Sequence, residues 1–186
     1  RRTGNSVYLN RAQAWLRYFK VEYRDDLVAG DNFAHLYGTG LLAWYEHTCE
    51  QGNCDLEALT TAEGIATEVE NYATTRWSGP GDNVAYYGPR KAARFLMFIT
   101  RIAEVTKQQR WVTLRDKLIE IWLKEPSWDA RGMYFLGDAD TDDILGKGSW
   151  AAGARIQSAF QIGILTESLF QAYRVTGRTD VRDRLL

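Results

Sequence analysis

Proline occurs three times in the 186 residues, at 80, 89 and 126, and histidine, cysteine and methionine only twice each. With so few breakers, and long stretches of Ala, Leu, Glu, Arg and Gln, the chain is expected to be mostly helical. Cys49 and Cys54 form a C-x4-C pair with no second cysteine pair or histidine pair beside it. Two ligands do not complete a zinc site. The pair reads either as a small-loop disulfide or as two reduced thiols at a helix end, so the redox compartment stays open. Charge of one sign is also missing: 23 Lys+Arg stand against 24 Asp+Glu. That balance argues against nucleic acid or an anionic membrane as the main partner. No apolar run approaches the ~20 residues of a membrane span, since stretches such as Phe95-Leu96-Met97-Phe98-Ile99 are soon broken by charge.

Aromatic residues are abundant instead, at 13% of the chain, which excludes disorder. Apolar positions recur at helical spacing. Tyr8, Ala12, Leu16, Phe19 and Tyr23 form one stripe, and Phe33 to Tyr45 a second. Further segments follow near 56–75, 90–106, 110–124 and 156–176, and the end of the chain reads as a helix just beginning. The expected fold class is all-α, with about seven helices and one short strand candidate at Gly132 to Leu136. Segments 33–49, 90–106 and 156–176 are apolar around much of their circumference and are expected to be buried; 56–75 and 110–124 carry one narrow stripe and are expected at the periphery. Gly38, Gly40 and Gly163 lie inside the first set, where a helix tolerates glycine if the backbone must approach a neighbour.

The connections alternate. Each segment expected to be buried is followed by a tight polar turn beginning at Thr48, Thr106 or Thr176, a recurrence that marks a degenerate helical-hairpin repeat. Each is preceded by a richer connection, at 24–32, 77–89 and 126–155. The elaborated connections should therefore share one end of the array, where scaffolds carry their chemistry. The whole of 1–186 reads as a single α-hairpin domain, and the start at Arg1 suggests a processed or truncated piece.

His35-Leu36-Tyr37-Gly38-Thr39-Gly40-Leu41-Leu42-Ala43-Trp44-Tyr45-Glu46-His47-Thr48, and the segment from Phe160 to Arg178 with its Thr176-Gly177 turn, resemble the hairpin unit of the (α/α)-toroid superfamily of six-hairpin glycosidases and related polysaccharide lyases. The resemblance implies a toroid or part of one, because a closed ring of that superfamily has twelve helices. It also implies a polysaccharide or oligosaccharide as partner, a glycoside hydrolase or polysaccharide lyase activity, and no required cofactor. The location stays open, with a periplasmic or extracellular one favoured.

Three constellations carry candidate chemistry. Asp31, Asn32 and His35 fall within about one helical turn; the lyases of the superfamily neutralise a uronate carboxylate with Asn or Arg and move the C5 proton with His or Tyr. The plainer reading is a helix cap beside a packed histidine. The second constellation, Trp77, Asp82, Asn83, Tyr86, Tyr87 and Arg90, suits a glycan subsite, since aromatic faces stack on sugar rings and Arg pairs with acidic sugars. Its alternative is an aromatic-stapled turn with Pro89 opening a helix. In a lyase, His35 or Tyr87 is the base or acid and Asn32 or Arg90 the carboxylate clamp; in a hydrolase, Asp31 and Asp82 are the paired acids. Trp150 and Arg155 join the same rim.

The third constellation, Asp138, Asp140 and Asp142, is a calcium candidate without the glycine and closing glutamate of an EF-hand, and its alternative is a solvated acidic turn. Asp140-Thr141-Asp142-Asp143 also resembles the acid motif of class II terpene cyclases, without that family's repeats. Gly146-x-Gly148 lacks the remainder of a phosphate loop, and no nucleophile elbow is present. His47, near a helix end, reads as a capping residue. The rival function is a non-enzymatic helical-repeat module that binds a protein or assembles with copies of itself, as a homo-oligomer or with a missing half-domain.

Overall fold

A computed structural model describes residues 6–18, 34–76, 89–124, 128–129, 132–133, 135–136, 155–156 and 159–186. Among these the chain is all-α, with seven helices: α1 (Ser6–Arg17), α2 (Ala34–Glu50), α3 (Leu56–Arg76), α4 (Pro89–Thr106), α5 (Gln109–Lys124), α6 (Ala159–Thr176) and α7 (Thr179–Leu185). The other elements are four two-residue strands in two antiparallel ladders. β1 (Trp128–Asp129) pairs with β2 (Gly132–Met133), and β3 (Phe135–Leu136) with β4 (Arg155–Ile156). The strand expected at Gly132 to Leu136 is thus split between two partners. No described helix is long and apolar enough to cross a membrane.

The chain divides into two compact units, Arg1–Glu70 and Asn71–Leu186. In the first, α1 packs on α2, and the buried side chains are Leu41 and Leu42 of α2 and Ala58, Ala62, Ile65, Ala66 and Val69 of α3. Helix α3 is rich in threonine, a poor helix former. Thr60, Thr61 and Thr67 each donate a hydroxyl hydrogen bond to the carbonyl four residues back, so their side chains are satisfied within the helix. Asp55 opens it: its Oδ1 accepts from the Ala58 amide at 3.1 Å, the N-cap geometry that satisfies one orphan donor.

In the second unit α4 is central, packed by both α5 and α6, while α7 lies on α6 and α5. Ala93, Phe95, Leu96, Phe98, Ile99, Ile102 and Ala103 of α4 are all buried. The edge of Tyr72 meets the Phe95 ring with centroids 5.5 Å apart. Helix α5, expected at the periphery, contributes Trp111, Leu114, Leu118, Ile119 and Trp122 to the core. A narrow stripe buries heavily when two of its positions are tryptophan.

One expectation is corrected. Gly40 and Gly163 do not mark close backbone approach, because a Cβ at either would meet no heavy atom within 4 Å; both lie on exposed faces. Of the stripe at Tyr8, Ala12, Leu16, Phe19 and Tyr23, Tyr8 is 61% exposed, Ala12 is exposed and Leu16 is partly covered, while Phe19 and Tyr23 lie outside the described residues. Periodicity identifies a helix face but not whether anything packs on it.

Candidate functional site

The candidate site residues belong to the connections that enter α2, α4 and α6. Asp31, Asn32, Trp77, Asp82, Asn83, Tyr86, Tyr87, Asp138, Asp140, Asp142 and Trp150 lie outside the described residues. Three candidates fall on described backbone. His35 is the second residue of α2 and Arg90 the second of α4, directly after Pro89, which takes the first helical position as expected. Arg155 is in β4, opposite Leu136. That ladder joins the two ends of the 137–154 connection three residues before α6 begins, so the chain carrying Asp138, Asp140, Asp142 and Trp150 leaves and returns at the entrance to α6. Among the described residues no cluster of three or more His, Cys, Asp or Glu could hold a metal ion.

At the other ends of α4 and α6 are the two tight turns, and they are built alike. Thr106 donates its hydroxyl to the Ile102 carbonyl at 2.8 Å and accepts from the Gln108 amide at 3.3 Å. Thr176 does the same with Ala172 at 2.7 Å and Arg178 at 3.3 Å. The next residue in each turn adopts a left-handed conformation, Lys107 at φ 58° and Gly177 at φ 68°. Each donates its amide to the carbonyl four residues back, Ala103 and Tyr173 respectively. Each of these hydrogen bonds in one turn has its counterpart 70 residues on.

The α2–α3 turn is different. Thr48 again donates to a carbonyl in its own helix, that of Tyr45, but its Oγ1 accepts from the Asp55 amide seven residues later. Gly52, at φ 81°, lies inside the longer loop, and Cys49 and Cys54 are joined by a disulfide. Trp44 Nε1 donates to Asp55 Oδ2 at 2.9 Å, so one carboxylate both caps α3 and anchors α2. The His47 ring rests 5.6 Å from the Trp44 ring. These are structural assignments, and the double use of Asp55 was not read from the sequence; its place before a helix after a Gly-containing turn was the available signal.

Between the hairpins, Arg178 donates to both Glu120 and Asp180. Its hydrogen bond holds the Asp180 carboxyl below the usual aspartate range, and the two carboxylates hold the guanidinium firmly charged. Arg184 donates to the Leu123 carbonyl at 3.0 Å. The contacts therefore advance in the same direction along α5 and α7. They are also offset: the 70-residue equivalent of Arg178 is Gln108, and Glu120 lies about 18 Å further along a helix axis at 1.5 Å per residue. No family model, curated protein or solved structure matches this chain.

Proposed function

We propose that the chain is a carbohydrate-active domain built from toroid-type helical hairpins, binding or processing a polysaccharide through residues of the long connections that enter α2, α4 and α6. The observation that carries this reading is the atom-for-atom recurrence of the Thr106 and Thr176 turns. A true hairpin repeat closes each inner helix tightly at one end and leaves the opposite connection free to vary. The contacts of α7 on α5, which advance in the same direction on both, are those of hairpins stacked in the same sense.

On this reading the rim carries Trp77, Tyr86, Tyr87 and Trp150 as sugar-stacking faces, with Asn32 or Arg90 as clamp for an acidic sugar. His35 or Tyr87 then moves the proton in a lyase, and Asp31 and Asp82 form the acid pair in a hydrolase. Asp138, Asp140 and Asp142 are the place for a calcium ion if the rim needs one. The Cys49–Cys54 disulfide suits a periplasmic or extracellular setting.

Intrinsic tryptophan fluorescence against neutral and uronate oligosaccharides tests the proposal. A saturable change lost in Trp77→Ala or Trp150→Ala supports it and directs product assays to His35, Asp31 and Asp82 variants. A flat response from folded protein overturns it. A second reading, a helical-repeat interaction or self-assembly module, is favoured by one specific observation, the exposure of Phe170 beside Thr166 on α6.

A further inference from the structure

The Cys49–Cys54 disulfide joins residues only 5 apart in sequence. Closing so short a loop removes little freedom from the unfolded chain, because the stabilisation from a cross-link grows with the loop it encloses. The turn it crosses is also closed without it. The Gly52 amide donates to the Cys49 carbonyl at 2.9 Å, and the Gln51 and Asn53 amides donate to the Thr48 carbonyl at 3.1 and 3.0 Å. The Asp55 amide donates to Thr48 Oγ1 at 2.9 Å, and Trp44 Nε1 to Asp55 Oδ2 at 2.9 Å. These bonds hold the end of α2 against the start of α3 whether or not the sulfurs are joined. Two thiols released here would therefore stay neighbours, and a cross-link of that kind can open and reclose within one fold.

The two sulfurs are not equivalent. Cys54 is exposed, whereas Cys49 is half-buried in the last turn of α2. A thiolate attacks the disulfide sulfur it can reach, which makes Cys49 the leaving group. Cys49 sits at the negative end of the α2 dipole, with Glu46 three residues before it and Glu50 directly after. Such surroundings disfavour a thiolate and place a proton on the released sulfur. The reduced pair gains no stabilisation from them, so the disulfide is the favoured state. Opening it calls for a reductant that closes a ring of its own, a dithiol rather than a monothiol.

We propose that Cys49 and Cys54 form a reversible dithiol–disulfide couple that takes two electrons from a dithiol reductant, with Cys54 as the exchanging sulfur and Cys49 as the resolving one. A thiolate of the reductant attacks Cys54 Sγ; the Sγ–Sγ bond breaks, and its electron pair leaves on Cys49, which takes up a proton. The second sulfur of the reductant, as thiolate, then attacks the reductant's own sulfur in the mixed disulfide. Cys54 leaves with that electron pair and is protonated, and the reductant is left as a cyclic disulfide. Reoxidation runs the same steps backwards, with Cys49 displacing the group carried on Cys54.

The intact chain, equilibrated in mixtures of reduced and oxidised dithiothreitol or glutathione, quenched by alkylation and weighed by mass spectrometry, tests this. Circular dichroism is followed on the same samples. Dithiothreitol is expected to reduce the pair fully and reversibly with the helical signal retained, and millimolar glutathione to leave it oxidised. Single variants read the polarity: Cys49→Ser, which keeps Cys54, should form a mixed disulfide with glutathione disulfide roughly tenfold faster than Cys54→Ser does. The double variant Cys49→Ser/Cys54→Ser should keep the helical signal of the oxidised chain. Loss of that signal in the double variant or on reduction would make the disulfide a staple and overturn the proposal. Equal rates in the single variants would overturn the assignment of Cys54, and full reduction by glutathione would overturn the dithiol as donor.

Discussion

Hairpins α4–α5 and α6–α7 close with the same hydrogen bonds yet differ in how much of themselves they bury. Trp111 of α5 and Val181 of α7 occupy equivalent places, both fully buried, but α5 runs for 16 residues with two buried tryptophans and α7 for seven with Val181 as its buried residue. Helix α4 of the first hairpin packs on α5 and on α6 of the second, whereas α7 of the second lies on α6 and α5. A repeat fixes backbone turns through local atoms, whereas depth of burial is set by position in the array.

The largest test of this difference is a pair of truncations. Trp111→Ala is expected to cost about 3–5 kcal/mol in urea unfolding, the range for removing a buried large aromatic. Val181→Ala should cost about 1–2 kcal/mol, from fewer buried methyl groups. Equal losses would mean that α7 is as integrated as α5 and would break the comparison.

A smaller pair of substitutions tests the part the hairpins share. Lys107 holds a left-handed conformation that an L side chain adopts at a cost of roughly 1–2 kcal/mol, where the second hairpin has Gly177. Lys107→Gly should therefore stabilise by about 1 kcal/mol after the added freedom of the unfolded glycine is counted, and Gly177→Ala should destabilise by about 1–2 kcal/mol. Opposite signs in thermal unfolding confirm the turns as one motif; the same sign in both would dissolve the equivalence.

These contrasts also show what the sequence could carry. Phe95, Leu96, Ile99, Ile102 and Ala103 of the apolar segment 90–106 are all buried, because α4 is packed by both α5 and α6. The recurrence of Thr106 and Thr176 was legible because the hydrogen bonds it makes are local. Tyr8 belongs to a helical stripe and Phe170 to the helical segment 156–176, but whether a neighbour covers either depends on what the fold supplies. The candidate site was legible only as residue types on long connections. Whether Asp31, Asp82 and Trp150 share one site depends on how hairpins stack, which no local pattern encodes. Gly163 illustrates the limit well: its place in an apolar helix suggested contact, and the face it occupies is open. Gly163→Ala should accordingly gain about 1 kcal/mol in thermal unfolding, with no packing penalty. A loss there would place a neighbour against Gly163 and bring it closer to Ala93, its buried equivalent 70 residues earlier.

The smallest effect expected is on the link between the two hairpins. Asp180 has its carboxyl pKa lowered in the folded chain, first by the hydrogen bond from Arg178. A group whose folded pKa lies below its unfolded value binds its proton more readily when unfolded, so it contributes stability above the unfolded pKa and loses it as pH falls through the folded one. The Arg178 clasp should therefore be intact at neutral pH and weaken only in acid, below the usual aspartate range. Exposure of Asp180 to solvent and salt keeps the effect small. Asp180→Asn should flatten the acid limb of the stability curve while leaving neutral stability nearly unchanged. Because Arg178 also donates to Glu120 of α5, amide exchange in α7 should rise in acid before exchange in α4 does. Simultaneous exchange in both helices would mean that α7 opens only with the whole unit, and that the hairpins, unequal in burial, are equal in cooperativity.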